Sequence, residues 1–262
     1  MGEKRETARI IIAMHRPYRR PDGELYVPVQ AGKALSDMDL RMQGDDEGEN
    51  ISNKNPNYCE LTAVYWAWKN LNADYIGLAH YRRHFCVRKK RDKWDGVLNG
   101  RQLRQILNTV PVILPKRRNY FIETNESQYL HAHHREGWDA MIDIVESDYP
   151  EYVPALHQMR KSTKGHRFNM FVMKREYFCA YCEWLFDILF KVEKRIDISG
   201  YSKSEARVFG YLGERLLDVW VETNHICYTE LGVAFMEKQN WVKKGMAFLK
   251  RKFFGDRQKG RH

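Results

Sequence analysis

Short apolar runs alternate along this chain with stretches in which apolar residues recur at helical spacing. An uninterrupted apolar run of a few residues is typical of a buried strand, whereas apolar residues at every third or fourth position are typical of a helix with one buried face. The apolar runs predict strands at residues 9–14, 75–79, 111–114 and 168–173.

Helical spacing separates these runs. Asn55 and Pro56 favour a helix start, with Asn55 as the N-cap and Pro56 at the first helical position. Further helices are predicted over residues 138–145, which Pro150 follows, and over residues 177–192 and 209–220. Strands that alternate with helices predict an α/β fold, here a single domain with a mixed, mostly parallel sheet flanked by helices.

The composition changes at residue 238. From there to residue 262, aromatic residues and Met interleave with Lys and Arg. This pattern is typical of a basic amphipathic helix on an anionic membrane surface, and it fits equally well a C-terminal helix that docks on the core with a solvated charged face. We therefore divide the chain into a domain of residues 1–237 and a basic amphipathic tail of residues 238–262.

The chain carries a formal net charge of +10 and has a pI near 9.3. Nucleic acid, an anionic membrane surface and a phosphorylated substrate all suit this charge. The basic residues are scattered over strand ends and the tail without a nucleic-acid-binding motif, so a nucleic-acid partner is not expected. No signal peptide and no apolar run of membrane-spanning length is found, which predicts a cytoplasmic protein.

A basic and aromatic cluster follows directly after the strand predicted at residues 75–79. It contains His80, Tyr81, Arg82 and Arg83. Ligands of open α/β sheets bind beyond the carboxyl ends of the strands, and the guanidinium group matches the geometry of phosphate. We therefore expect this cluster to bind a phosphate-bearing ligand, together with His15 from the end of the first strand.

The common nucleotide-binding and metalloprotease motifs are missing from the sequence. The hypothesis that remains is a transferase with a phosphate-bearing donor. Charge develops on the leaving phosphate, and either a metal ion or fixed cations must offset it. Arg82 and Arg83 would take the place of the metal, and one of them is also expected to pair with a structural carboxylate such as Glu60.

A transferase also needs a group that takes the proton of the acceptor hydroxyl. Sequence spacing alone does not rank the carboxylates that could do so, which are Asp139, Glu183, Asp187, Glu205 and Glu214. Glu214 stands beside Arg215 in an apolar helix, so a structural ion pair is the default explanation there.

The sequence is compatible with a divalent metal, Mg²⁺ or Mn²⁺, but does not require one. The carboxylates of the acidic cluster Asp45, Asp46 and Glu47 could bind such an ion. The histidines of the HAHH segment, residues 131–134, have a poor spacing for one face of a helix, so no metal-binding residue is assigned.

Four long segments carry a resemblance to a known family. They are NPNYCELTAVYWAWKN at residues 55–70, DYIGLAHYRRHF at 74–85, residues 166–201 and residues 206–221. Together they resemble a bacterial family of capsular and exopolysaccharide biosynthesis proteins that has long been catalogued as a domain of unknown function. Members of that family are regarded as glycosyltransferases, and some are linked to galactofuranosyl transfer from the UDP sugar.

The resemblance implies a nucleotide-sugar-binding fold of the GT-A type. It implies a UDP-sugar donor and a growing surface polysaccharide or lipid-diphosphate-linked acceptor, handled at the inner face of the plasma membrane by a peripheral enzyme. The expected catalytic residues are His80, Glu183 and Glu214. The expected donor-binding residues are His15, Asn57, Tyr81, Arg82, Arg83, Asn169 and Arg207. The alternative is a non-catalytic module for polysaccharide assembly or nucleic-acid binding.

Overall fold

The computed structural model describes residues 6–237, which form a sheet of eight strands, a two-stranded ribbon and eight α-helices. The strands are β1 (Ala8–Met14), β2 (Tyr26–Gln30), β3 (Gln43–Gly44), β4 (Tyr75–His80), β5 (Arg83–Cys86), β6 (Val112–Pro115), β7 (Arg118–Asn119), β8 (Lys164–Gly165), β9 (Phe171–Lys174) and β10 (Tyr228–Phe235). The helices are α1 (Asn55–Tyr58), α2 (Leu61–Asn70), α3 (Gly100–Leu107), α4 (Asn125–Ala132), α5 (Arg135–Asp148), α6 (Val153–Lys161), α7 (Arg175–Arg195) and α8 (Val208–Thr223).

The main sheet has an open parallel part and a closed mixed part. Strands β3, β2, β1 and β4 pair in this order, and all are parallel. Strand β4 also pairs with β5 and β9, and the ladder continues through β10 and β6, so five strands close into a ring. The expected α/β fold and mixed sheet are confirmed, but the sheet is mostly parallel only in its open part, because most pairings in the ring are antiparallel.

Strands β1 and β4 bring the predicted strand-end residues together. Both strands are buried on both faces, as their continuous apolar sequences predict. Their parallel register pairs Ala13 with His80. The segments that follow the two strands, which contain His15 and Arg82, therefore begin side by side at one edge of the sheet.

Two layers of apolar side chains hold the sheet in place. The larger lies between the sheet and helices α2 and α5–α8, and the smaller lies on the opposite side, against α3. The long helix α7 and helix α8 contribute half of the buried residues of the α-helices, as their helical spacing predicts.

The helix predicted to begin at Asn55 is broken into α1 and α2. Cys59 interrupts it with a φ of 55°, a positive value that residues other than glycine rarely adopt. Asn55 is the first residue of α1 rather than its N-cap, and its side chain donates hydrogen bonds to Cys59 O and Thr62 Oγ1 at 2.8 and 3.0 Å. The break directs Glu60, the residue after Cys59, towards the end of the sheet.

The strand predicted at residues 168–173 is also shorter than expected, since β9 begins at Phe171. Phe168 and Asn169 have φ values of 76° and 53° and form a turn before the strand.

Residues 238–262 lie outside the described part of the chain, so the predicted basic tail and the domain boundary before it stay predictions. Among residues 6–237, no helix combines the length and the apolar composition that crossing a membrane requires.

Candidate functional site

A cavity of about 650 Å³ opens at the carboxyl ends of β1 and β4. Its wall is formed by the segments that follow these strands, by the start of α1 and the break after it, and by one face of α8. This volume is in the range of sites that bind small molecules and cofactors.

The side chains around the cavity are strongly cationic. Two carboxylates line it, Glu60 and Glu214. Six arginines line it as well, and they are Arg82, Arg83, Arg118, Arg167, Arg207 and Arg215. This excess of positive charge in a partly enclosed space favours an anionic ligand.

His80 lies at the base of the cavity as a neutral imidazole. Its Nε2 donates a hydrogen bond of 2.6 Å to the carbonyl oxygen of Phe168, which can only accept. Burial lowers the pKa of His80, although Glu60, 4.0 Å from Nε2, opposes that effect. Because Nε2 carries the proton, Nδ1 is the nitrogen that can accept one.

Glu214 is held from two sides. Its Oε1 accepts a hydrogen bond from the backbone N–H of Phe168 at 3.0 Å, and its Oε2 accepts one from Arg215 Nη1 at 3.2 Å. The default expectation of an ion pair with Arg215 is therefore confirmed. Because Glu214 also lines the cavity, the ion pair fixes a carboxylate that a ligand can reach.

The turn at Phe168 and Asn169 links the polar groups of the cavity. The backbone of Phe168 binds both His80 and Glu214. The Asn169 side chain donates to Glu60 Oε1 at 2.8 Å and to Gly210 O at 3.1 Å. Left-handed residues other than glycine cost free energy, and they are concentrated at functional sites. Asn169 itself is buried and does not line the cavity, so its side chain orients Glu60. The direct contact with a donor that was predicted for Asn169 does not fit this position.

The two arginines after β4 differ in their partners. Arg82 Nη1 forms a 2.9 Å ion pair with Glu237, whose other oxygen binds Arg16 at 2.6 Å. Arg83 lies over the ring of Phe168, 4.6 Å from its centroid, and has no carboxylate within 4 Å among residues 6–237. The expectation that one arginine of this pair binds a structural carboxylate is met by Glu237, and not by Glu60.

Tyr81 and His15 lie together at the cavity wall, with 3.3 Å between the tyrosine hydroxyl and His15 Nε2. Burial and the charges of Arg16 and Arg82 lower the pKa of His15. The structure therefore brings His15, His80, Tyr81 and both arginines to one place, as the strand-end rule predicts.

Arg207 is positioned by the break after α1. Its Nε donates to Cys59 Sγ at 3.0 Å. Burial raises the pKa of the Cys59 thiol to about 12, so the sulfur is an uncharged partner and leaves the arginine's charge for a ligand. Asn57 does not line the cavity; its side chain donates to Ala206 O at 2.9 Å and holds the segment before Arg207.

Glu183 does not belong to the site. It is exposed on α7, between the buried residues Cys182 and Trp184. Because those neighbours face the apolar core, the Glu183 side chain points to solvent, away from the cavity.

The acidic cluster after β3 has a structural function. Asp45 is fully buried and accepts hydrogen bonds from Gly32 N, Lys33 N, Ser52 Oγ and Thr62 Oγ1 at 2.5–3.0 Å. Across the described residues, no group of three or more His, Cys, Asp or Glu side chains is arranged to hold a metal ion. Residues 6–237 therefore offer no metal site built from three or more such side chains, and no step of a reaction is assigned to a metal.

The residues of the far wall of the cavity were not predicted from the sequence. They are Arg118, Tyr120, Gln128 and Arg167. Gln128 lies on α4, and the other three lie on or next to the β7–β8 ribbon. The two strands of the ribbon are only two residues long, so they show no apolar pattern in the sequence.

Fold and cavity together define an α/β protein with a strongly cationic cavity at the carboxyl ends of its parallel strands. The family model described as a domain of unknown function, DUF4422, matches residues 9–225, and the chain belongs to this family.

One solved structure extends the comparison. The apo structure of the bifunctional glycosyltransferase WbbM is 32% identical to this chain and superposes with a TM-score of 0.82. The match covers 88% of this chain and 46% of that one, so the chain spans about half the length of WbbM. No curated protein matches the chain.

Proposed function

We propose that this protein is a glycosyltransferase that takes its sugar from a nucleotide diphosphate donor, most simply a UDP sugar. The observation that carries the proposal is the cavity, in which six arginines surround two carboxylates. The similarity of the chain to the bifunctional glycosyltransferase WbbM, at 32% sequence identity, supports the same reaction class.

The arginines would stabilise the leaving diphosphate. As the bond to the sugar breaks, negative charge builds on the departing oxygen, and fixed cations in a water-poor site offset it without reorganising. Arg83 and Arg207 suit this task because neither has a carboxylate within 4 Å in the described chain. Arg82 and neutral His80 would complete the diphosphate site from the same strand end.

Glu214 would accept the acceptor's proton. The acceptor oxygen forms the new bond to the anomeric carbon, the bond to UDP breaks with its electron pair on UDP, and the proton passes to the carboxylate. Phe168 N–H and Arg215 hold Glu214 in one orientation, as a positioned base requires. The neutral His80 ring is another group in the cavity able to take a proton.

The finer assignment follows the family resemblance. We propose a surface polysaccharide or lipid-linked acceptor, with galactofuranose as one candidate sugar, and an enzyme held at the inner face of the plasma membrane through residues 238–262. A non-catalytic module for polysaccharide assembly would use the same anion-binding cavity without turnover.

A donor screen tests the proposal. The purified protein is incubated with a panel of UDP sugars, including UDP-galactofuranose, and mono- and disaccharide acceptors, with and without EDTA, and released UDP is measured. We expect acceptor-dependent release that EDTA leaves unchanged. Glu214→Gln should reduce it at least about 100-fold, because loss of a general base typically costs that much.

Glu183→Gln is the matched control, since Glu183 is exposed and outside the cavity, and its activity should equal that of wild type. UDP binding without release on any donor would favour the non-catalytic module. Equal activity of Glu214→Gln and wild type would remove Glu214 from the mechanism.

A further inference from the structure

Two groups of cations line the cavity, and one arginine of each group contacts the ring of Phe168. Arg83 lies 4.6 Å from the centroid of the Phe168 ring, and Arg118 lies 5.5 Å from it. Arg83 belongs to the strand-end group already assigned to the donor. Arg118 belongs to a second group, the inner arginines, which we define as Arg118, Arg167 and Arg215.

Two of the inner arginines are buried charges with incomplete pairing. Arg167 and Arg215 are each only 2% exposed, and the Nε of each has no hydrogen-bond partner. Arg215 is paired with Glu214, but Arg167 binds only neutral oxygens, His166 O at 2.9 Å and Asn125 Oδ1. The Asp218 carboxylate lies near Arg167, but it is bound by His166 and forms no ion pair with Arg167. A buried charge without a direct ion pair is costly, so buried arginines are normally paired.

Glu214 is bound to only one of the two buried arginines. It accepts a hydrogen bond from Arg215 and forms none with Arg167. Since the described lining of the cavity has two carboxylates against six arginines, the cavity keeps a net positive charge. An anionic ligand that enters the cavity would supply the missing counter-charge.

The position of Glu214 indicates that this anionic ligand is the acceptor and not the donor. Its Oε1 is held by the turn at Phe168, and its Oε2 is held by the inner arginine Arg215. In the proposed reaction Glu214 meets the acceptor hydroxyl, so the acceptor lies on the side of the inner arginines while the donor diphosphate lies at the strand end.

We propose that the inner arginines bind an anionic group on the acceptor, either a sugar carboxylate or a phosphate, and so select an acidic acceptor. The inference rests on the proposed function. The planar guanidinium group forms paired hydrogen bonds with both oxyanions, which is why the two share one site. Tyr120, whose ring lies 5.4 Å from the Arg167 guanidinium carbon, closes the wall beside them.

Calorimetry with matched sugars tests the proposal. Methyl glucuronide, glucose 1-phosphate and neutral methyl glucoside are titrated into the protein, with and without saturating UDP. We expect one or both charged sugars to bind alongside UDP and the neutral sugar to bind at least about tenfold more weakly, because the neutral sugar forms no charge-assisted hydrogen bond with the arginines. The tighter of the two charged sugars identifies the oxyanion.

Arg118→Gln should weaken the charged sugar at least about tenfold and leave UDP affinity unchanged. Its neighbour Arg117 provides the control, because Arg117 binds Tyr228 Oη at 2.9 Å and does not line the cavity. Arg117→Gln should bind both ligands as wild type does. Circular dichroism first shows whether both variants are folded. If Arg118→Gln does not fold, Arg118→Lys, which keeps the charge, replaces it in the titrations.

The outcomes separate the two proposals. Competition between UDP and the charged sugars, or equal binding of charged and neutral sugars, would overturn the acidic-acceptor site. Loss of charged-sugar affinity in Arg117→Gln as well would also overturn it. If UDP does not bind but the charged sugar binds in an Arg118-dependent way, the donor assignment fails while the anion site stands.

Discussion

Burial sets the protonation state of the histidines near the cavity. His15 and His80 both lose basicity because their charged forms would be poorly solvated, and the arginines around His15 add to the effect. His80 consequently donates through Nε2 and keeps Nδ1 unprotonated near neutral pH. A residue that looks cationic in the sequence is thus neutral in the fold, while the arginines carry the positive charge.

His84 shows the same effect more strongly and makes it measurable. It is fully buried on β5, neither ring nitrogen has a hydrogen-bond partner, and burial lowers its pKa to about 4. The unfolded chain takes up a proton below pH 6.5, whereas the folded protein does so only near pH 4. The free energy of unfolding therefore keeps its full value above pH 6.5 and decreases as the pH falls towards 4, because only the unfolded chain binds the proton in that range.

We expect this loss to be about 3 kcal/mol, since one pKa unit corresponds to about 1.4 kcal/mol. His84→Phe has no proton to take up and should lose that much less stability between pH 6.5 and 4 in urea titrations. The control is His157→Gln at an exposed position. An unchanged pH dependence in His84→Phe would contradict the account.

At the scale of elements, the site depends on two short breaks that the hydrophobic pattern does not reveal. The pattern predicted β1, β4, α7 and α8 because apolar periodicity reports which face of an element is buried. The pattern missed the residues with positive φ at Cys59 and at Phe168–Asn169, since no glycine marks either position. Those breaks are stabilised by long-range hydrogen bonds to Arg207, Glu60 and Glu214, which a one-dimensional pattern does not contain.

The buried carboxylate after β3 gives a test at this scale. Asp45 joins the end of β2, the segment before α1 and the first turn of α2 through its hydrogen bonds. Asp45→Ala should lower the free energy of unfolding by about 3 kcal/mol, because it leaves several buried donors unpaired. Urea denaturation measures the change.

Asp46→Ala is the matched control, because Asp46 is the exposed neighbour in the same cluster, and it should change stability by less than about 0.5 kcal/mol. EDTA should leave the unfolding curve of the wild-type protein unchanged. A large stabilisation by Mg²⁺ or Mn²⁺ that Asp45→Ala abolishes would instead indicate a metal site at the cluster.

For the whole molecule, topology explains which half of the site could be predicted. The parallel register of β1 and β4 places His15 beside His80–Arg83, and a rule about strand ends is sufficient to foresee this. Arg118 lies on β7 and Arg167 follows β8, and the antiparallel pairing of this separate ribbon brings the two arginines together at the cavity. Because the ribbon joins segments distant in sequence, this half of the site required the three-dimensional structure.

The affinity for UDP shows whether the strand-end arginines bind a nucleotide diphosphate. Isothermal titration of UDP compares the wild type with Arg83→Gln, which alters the cavity, and with Arg88→Gln, which alters an exposed arginine just beyond β5. We predict that Arg83→Gln weakens UDP binding at least about tenfold, as loss of a charge-assisted hydrogen bond requires, and that Arg88→Gln matches wild type. Equal UDP affinity in all three proteins, or no UDP binding by the wild type, would contradict the account.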